Sequence, residues 1–419
     1  MGLVVAHLPP GTRGRTVRTA LFFLAILLVN YTLGRPSPVD IAFAAALLMT
    51  VFCHQSLTPG SLAYLLLAIV WSFGLYWASA PYMEDPDVQY QVVKIGYAIS
   101  ISFTACLTAV HWGSRQLQMF FKVWILSSCV AAGLGTFGFA TGNELFTWDG
   151  RAKGLLDDPN MYGAFLLPGL LGAIHFMFTA QRRWIYALAL AWLTLGMLLS
   201  FSRIAIAAYF ILGTVLAIFL NRERPMKIIA YLVAMMVVVA VIGAVALLAL
   251  DSFGDKLTDR LTLVKSYDGG EYGRLARYFI AMDLILTEPS GLGATQFEKT
   301  YPEPIHNILL SSFMNYGWGA GFAWSAVMIF AAVLSIRNFR RTGDQLFITL
   351  LIGWTGIIAC AMLHEAERWR HMWLVTGLVW GLNIRNWPSA AAYENEHAAW
   401  RAPRPPVLQP HFALVSNPK

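Results

Sequence analysis

His306 and Asn307 close the longest polar stretch between two apolar runs, residues 251–306, which also carries Lys256, Arg260, Lys265, Arg274 and Arg277. An imidazole titrates near neutral pH, so a neutral histidine can take a proton from a sugar hydroxyl as that hydroxyl attacks. A lone histidine is more often an interfacial or hydrogen-bonded residue, and only its place after a basic loop and at a helix start raises the catalytic reading of His306. Asn307 either orients a substrate or caps the following helix. Guanidinium never loses its charge and grips phosphate oxygens two at a time. Arg203 stands with apolar residues on both sides, where an arginine is costly unless paired or snorkelling. It therefore either anchors a helix end or forms an anion site. Arg151, Arg274 and Arg277 are the other candidates for such a site, with Lys153 and Arg260 behind them. Arginines converging in this way would suit a diphosphate on a lipid carrier.

Two further clusters have structural and chemical readings. Asp157-Asp158-Pro159-Asn160 looks like a metal-binding acidic pair, but Asp-Pro-Asn before a helical run is also a turn and a helix start, and that reading is the stronger. Glu365, Glu367, Arg368 and Arg370 are spaced to pair among themselves, with His364 and His371 beside them as rivals to His306. Arg368 and Asn160 join Lys153 and Asn307 as candidates for orienting a substrate. The chain shows no Cys/His ligand set, no phosphate-loop lysine and no dinucleotide glycine fingerprint, so no metal or cofactor is expected. The four cysteines lie in or beside apolar runs and read as packing residues.

The elements that must position these residues follow from composition. The chain has 419 residues, 57% hydrophobic and 13% charged, with mean hydropathy +0.57. Continuous apolar runs rather than alternating ones make it an all-α polytopic membrane protein and not an outer-membrane barrel. About twelve spans are expected, near 20–33, 39–53, 62–79, 92–110, 119–140, 161–179, 184–201, 204–220, 228–250, 312–335, 346–363 and 371–385. The first follows Arg13, Arg15 and Arg18 like the charged start of a signal peptide, but no small-residue cleavage site follows, so it reads as a retained helix. Residues 1–387 then form one transmembrane domain with one long periplasmic loop, and 388–419, rich in Pro, Ala and Asn, a disordered cytoplasmic tail.

Charge orients the bundle. With the N-terminus inside, Arg115 and Lys122, Arg182 and Arg183, Arg222, Arg224 and Lys227, and Arg337, Arg340 and Arg341 all fall on the inner side, a positive-inside pattern. That pattern accounts for most of the net charge of +7 and removes nucleic acid as the expected partner. The charges that break it lie on the outer side: residues 149–160, Arg203, the long loop and residues 364–371. Within the loop, Leu275, Phe279, Met282 and Leu286 recur at helical spacing and Arg274 and Arg277 share a face, as in a helix lying apolar side down on the membrane surface. A transporter or lipid-linked glycan flippase is the alternative of another class. Transporters place polar residues near the midplane and repeat their halves, whereas here charges cluster at one face.

On these residues the sequence resembles the bacterial O-antigen ligase and polymerase superfamily. The carrying stretches are Lys153-Gly154-Leu155-Leu156-Asp157-Asp158-Pro159-Asn160, Ser202-Arg203 at the start of a run, Pro289-x-Gly291-x-Gly293-x-x-x-Phe297, and His306-Asn307 followed by Gly317-Trp318-Gly319. The resemblance implies a metal-independent glycosyltransferase of the C-type membrane fold in the bacterial inner membrane, with both termini cytoplasmic and the site facing the periplasm. It implies transfer of a glycan from undecaprenyl diphosphate to a sugar hydroxyl, on lipid A–core for a ligase or on another repeat unit for a polymerase. His306 matches the family's histidine, the proposed base, Arg203 its membrane-edge arginine, and Arg274 or Arg277 a loop arginine that binds the diphosphate.

Overall fold

An apolar run cut off from water can satisfy its backbone only within a helix or a closed barrel, and among the described residues each run read above lies mainly on a helix. The structure, a computed structural model, describes residues 12–32, 36–52, 57–249, 254, 273–301 and 303–387. In chain order the helices are α1 (Thr12–Leu28), α2 (Pro38–Phe52), α3 (Pro59–Ser79), α4 (Pro86–Ala109), α5 (Ser114–Thr141), α6 (Pro159–Thr179), α7 (Arg183–Leu199), α8 (Arg203–Asn221), α9 (Pro225–Ala249), α10 (Arg274–Thr287), α11 (Gln296–Thr300), α12 (Ile308–Thr342), α13 (Leu346–Ala361) and α14 (Arg370–Gly381). Among the described residues seven are long and apolar enough to cross a membrane, fewer than the twelve spans expected, and α2, α7 and α13 are shorter apolar helices. The first run, read as 20–33, is a helix over Thr12–Leu28, because arginine is a good helix former and the charged turn of Arg13, Arg15 and Arg18 joins the apolar one.

α6 is the axis of the bundle. Nearly every residue from Met161 to Phe176 is buried, against α5, α7, α8 and α13. Around it α3 packs on α12 and α4 on α14, so the start of α12, where His306 and Asn307 stand, is held by elements from both halves of the chain. Loops that the charge pattern assigns to the outer side meet at one end. Thr32 bonds the Leu155 carbonyl at 2.6 Å, the Ala294 amide bonds Ser79 Oγ at 3.1 Å, and Lys299 pairs with Asp85 at 2.6 Å. At the opposite end Ser114 and Trp387 both bond Asp344, at 2.7 and 2.9 Å.

One element departs from the all-helical expectation. Between α5 and α6 the chain makes a short antiparallel hairpin, β1 (Thr147–Trp148) with β2 (Arg151–Ala152). Asp149 and Gly150 turn it with φ of 50° and 61°, the backbone that a two-residue Asp-Gly turn favours.

Candidate active site

The first cluster forms where the hairpin meets the turn between α7 and α8. Arg151 is buried, and its Nε donates to the Ser200 carbonyl at 2.9 Å while one terminal nitrogen donates to Asn160 Oδ1 at 2.9 Å. Ser200 Oγ accepts from the Ser202 amide at 3.1 Å, and Phe201 between them sits at φ 47°. This three-residue turn delivers Arg203, half-buried, as the first residue of α8. Asp158 caps α6, accepting the Asn160 amide at 2.6 Å, and Asp157 is held by Thr32 at 3.0 Å and lies 4.0 Å from Lys94. The acidic pair is thus a turn and a cap, as its sequence suggests.

The second cluster surrounds His306, which has φ 51°; a histidine in this left-handed region is uncommon and persists where its surroundings fix it. The fixing comes from α10. Arg277, 2% exposed, donates one terminal nitrogen to the Pro304 carbonyl at 2.6 Å and the other to Glu303 at 2.9 Å. Expected as a diphosphate ligand, Arg277 here donates to acceptors of its own chain on the segment leading into His306, which meets part of the desolvation cost of a buried guanidinium, while its buried Nε has no partner among the described residues. Asn307 caps α12, its Oδ1 accepting the amides of Leu309 and Leu310, each at 3.0 Å. Arg274 opens α10, and its side chain, like Lys256, Arg260 and Lys265, lies outside the described residues.

The glycine motif ties residues 289–293 to α12. Leu292 and Gly293 donate to the carbonyls of Met314 and Asn315, and Trp318 donates to that of Pro289, at 2.9, 2.9 and 3.0 Å. These bonds are free to form because α12 breaks at Gly317, whose φ is 82° and ψ 173°. A Cβ on Gly317 would lie 2.8 Å from the Pro289 carbonyl, and one on Gly291 2.5 Å from the Gly317 amide. The motif is a close backbone crossing that only glycine permits.

A cleft opens beside Asn307, lined by Glu298 of α11, Ser311, Asn315 and Tyr316 of α12, and His364, Glu365, Glu367 and Arg368 of the turn before α14. Glu367 is buried and accepts from Ser311 and Tyr316; burial raises its pKa above the ordinary carboxyl value, with those two bonds opposing. Burial likewise raises Glu298. Burial, with Glu298 next, pushes Glu365 up to about 7, Arg368 opposing. Arg368 pairs with Glu365 at 3.1 Å, as the spacing suggests, but Arg370 pairs outside the group, with Asp40 at 3.0 Å.

Aromatic rings connect the clusters. Phe165 of α6 lies 6.0 Å from the His371 ring, which stacks on Trp369 at 5.4 Å, and Trp369 stacks on His364 at 6.0 Å. His371 is buried, and His364 Nδ1 lies 2.9 Å from the Cys360 carbonyl.

The structure therefore joins Arg151 with Asn160 and the Arg203 turn, Arg277 with the His306 segment, and Asn307 with Arg368 across one cleft. Lys153 lies apart from that cleft, in the concavity beside the hairpin. Sequence reasoning missed Glu298, which stands in a loop helix of five residues, too short to show a period. It missed the hairpin too, although Asp149-Gly150 is a turn signal.

The O-antigen ligase family model matches residues 188–325, a stretch that holds Arg203, α10, the glycine motif and His306. No curated protein matches the chain. The family is one of membrane glycan-processing enzymes, ligases and polymerases. The chain is similar to this family over residues 188–325, and it carries several helices long and apolar enough to cross a membrane.

Proposed function

We propose that this protein is a glycosyltransferase that moves a glycan from undecaprenyl diphosphate to a sugar hydroxyl of lipid A–core on the periplasmic face of the inner membrane. The observation that carries the reading is the family match over residues 188–325, whose motif residues stand at the same end of the bundle as Arg151 and Arg368. The diphosphate is already a good leaving group. Arg203 and Arg274 stabilise its growing charge at a partly dry site. His306 takes the proton of the acceptor hydroxyl as that oxygen attacks the anomeric carbon and the carbon–phosphate oxygen bond breaks. Arg151 and Asn160 hold the Arg203 turn, Arg277 holds the histidine segment, and Arg368 and Asn307 border the cleft beside it. The reaction needs no metal or cofactor in this reading, and the membrane lipids hold the carrier.

The test is glycan analysis of cells lacking the gene, complemented with the wild type, His306→Ala or Arg203→Ala, each verified in the membrane. Loss of core-linked long glycan with accumulation of carrier-linked polymer in both variants is the expected result. Single repeat units only would make the protein a polymerase. Unchanged glycans in every strain would sink the transferase reading and favour transport.

A further inference from the structure

The hairpin between α5 and α6 borders an open concavity of about 670 Å³ that none of the catalytic roles uses. Trp148 lines it and is 58% exposed. Glu144, Asp149, Lys153 and Asp157 line it as well, and Phe139 forms part of the wall. The volume falls within the range of small-molecule sites. The lining is rigid: the amides of Lys153 and Gly154 both donate to the Phe146 carbonyl, at 2.9 and 3.1 Å, and Thr147 Oγ1 donates to the Asn143 carbonyl at 3.0 Å. Phe146 is in turn seated against Phe137, with ring centroids 6.0 Å apart. The hairpin backbone is thus fixed before a ligand arrives.

Trp148 is one of several exposed tryptophans, and it shares its concavity with four charged side chains. An indole offers a flat apolar face, and a sugar ring offers one too, on its C–H side. The ring's hydroxyl edge donates to carboxylates, and such charge-assisted bonds are among the stronger ones. Glu144, Asp149 and Asp157 outnumber Lys153 in the lining, even with Lys94 set against Asp157, which disfavours an anionic ligand, and Lys153 supplies a donor to ring or hydroxyl oxygens. We infer that the Trp148 concavity is a glycan-recognition subsite, which stacks one uncharged sugar residue on the indole and holds its hydroxyls with Glu144 and Asp149. The inference rests on the transferase reading for its choice of ligand. The hairpin places the subsite next to the Arg203 turn, because Arg151 belongs to the same hairpin and bonds Ser200. A sugar held there is one end of the chain whose carrier end lies at the arginines.

The experiment uses the full-length protein in detergent and a defined probe, the oligosaccharide released by mild acid from the producing cell's own surface polysaccharide. Its Kd is measured by calorimetry for the wild type, Trp148→Ala, Trp148→Phe and Glu144→Gln. Trp148→Ala weakens binding about tenfold or more, Trp148→Phe keeps it within about threefold because a ring remains, and Glu144→Gln falls between. Equal affinity in Trp148→Ala and wild type overturns the inference, as does a wild type that does not bind; loss of membrane retention alone in Trp148→Ala would make the indole an interfacial anchor instead. Transfer by the wild type is assayed separately. A wild type that binds but does not transfer defeats the function and leaves the subsite standing; one that transfers with Trp148→Ala binding unchanged does the reverse.

Discussion

Arg277 donates a hydrogen bond to the main-chain carbonyl of Pro304 at 2.6 Å, two residues ahead of His306. A positively charged side chain enclosed in protein thereby holds the backbone just ahead of His306.

Removing that brace should show in kcat. Arg277→Ala lets the histidine segment shift, and misplacement by about 1 Å costs roughly 100-fold in rate. The donor KM should stay within about twofold. A large rise in KM with kcat retained would instead make Arg277 a ligand of the diphosphate. Glu303→Gln should act weakly, because Glu303 is 48% exposed and an exposed pair contributes about 0–1 kcal/mol.

The crossing at Gly317 should tolerate no side chain. Gly317→Ala adds a Cβ 2.8 Å from the Pro289 carbonyl at φ 82°, costing about 1–3 kcal/mol for the backbone alone and more for the collision. Gly319→Ala meets its nearest atom at 3.9 Å and should unfold like wild type. Thermal melts of the two in detergent decide; equal melting points would mean the crossing is not fixed.

Asn307 caps α12 whatever else it does. Asn307→Ala should lose about 1 kcal/mol of stability, and Asn307→Asp should keep most of it. If Asn307→Asp melts like wild type yet transfers poorly, the amide nitrogen has a second task at the substrate.

Acidity offers a separate handle. Glu365 is raised from the ordinary 4.5 to about 7, so between those values the folded protein holds a proton that the unfolded chain has released. The stability this contributes is complete below about pH 4.5 and is lost as pH rises through about 7. Glu298, Glu367 and Arg368 face the same carboxyl. Melting temperature should therefore fall from pH 5 to pH 8 more steeply in the wild type than in Glu365→Gln. Parallel curves would remove Glu365 from the titration.

The helices were legible because a membrane protein has few ways to satisfy its backbone: among the described residues the apolar runs lie mainly on helices, but seven of those helices are long and apolar enough to cross a membrane where about twelve spans were expected. The turn and cap at Asp157 to Asn160 were legible for the same local reason. Arg277 was not. Its spacing from Arg274 says which face it shares, but whether that face meets a ligand or Pro304 depends on a segment 27 residues away in sequence. Glu298 met Glu365 by the same kind of distant folding. Likewise α10 was expected to lie apolar side down, and it does leave Phe279, Met282 and Leu286 exposed while Ala281 and Ile285 pack inward; the second apolar face, toward Phe297 and Met314, was hidden in the same period.

The crossing of residues 289–293 over the break in α12 also bears on access. A stretch tied down by three main-chain bonds, with no room for a Cβ at the contact, cannot swing aside as a lid. Any motion that admits a ligand beside Asn307 must therefore come from other segments.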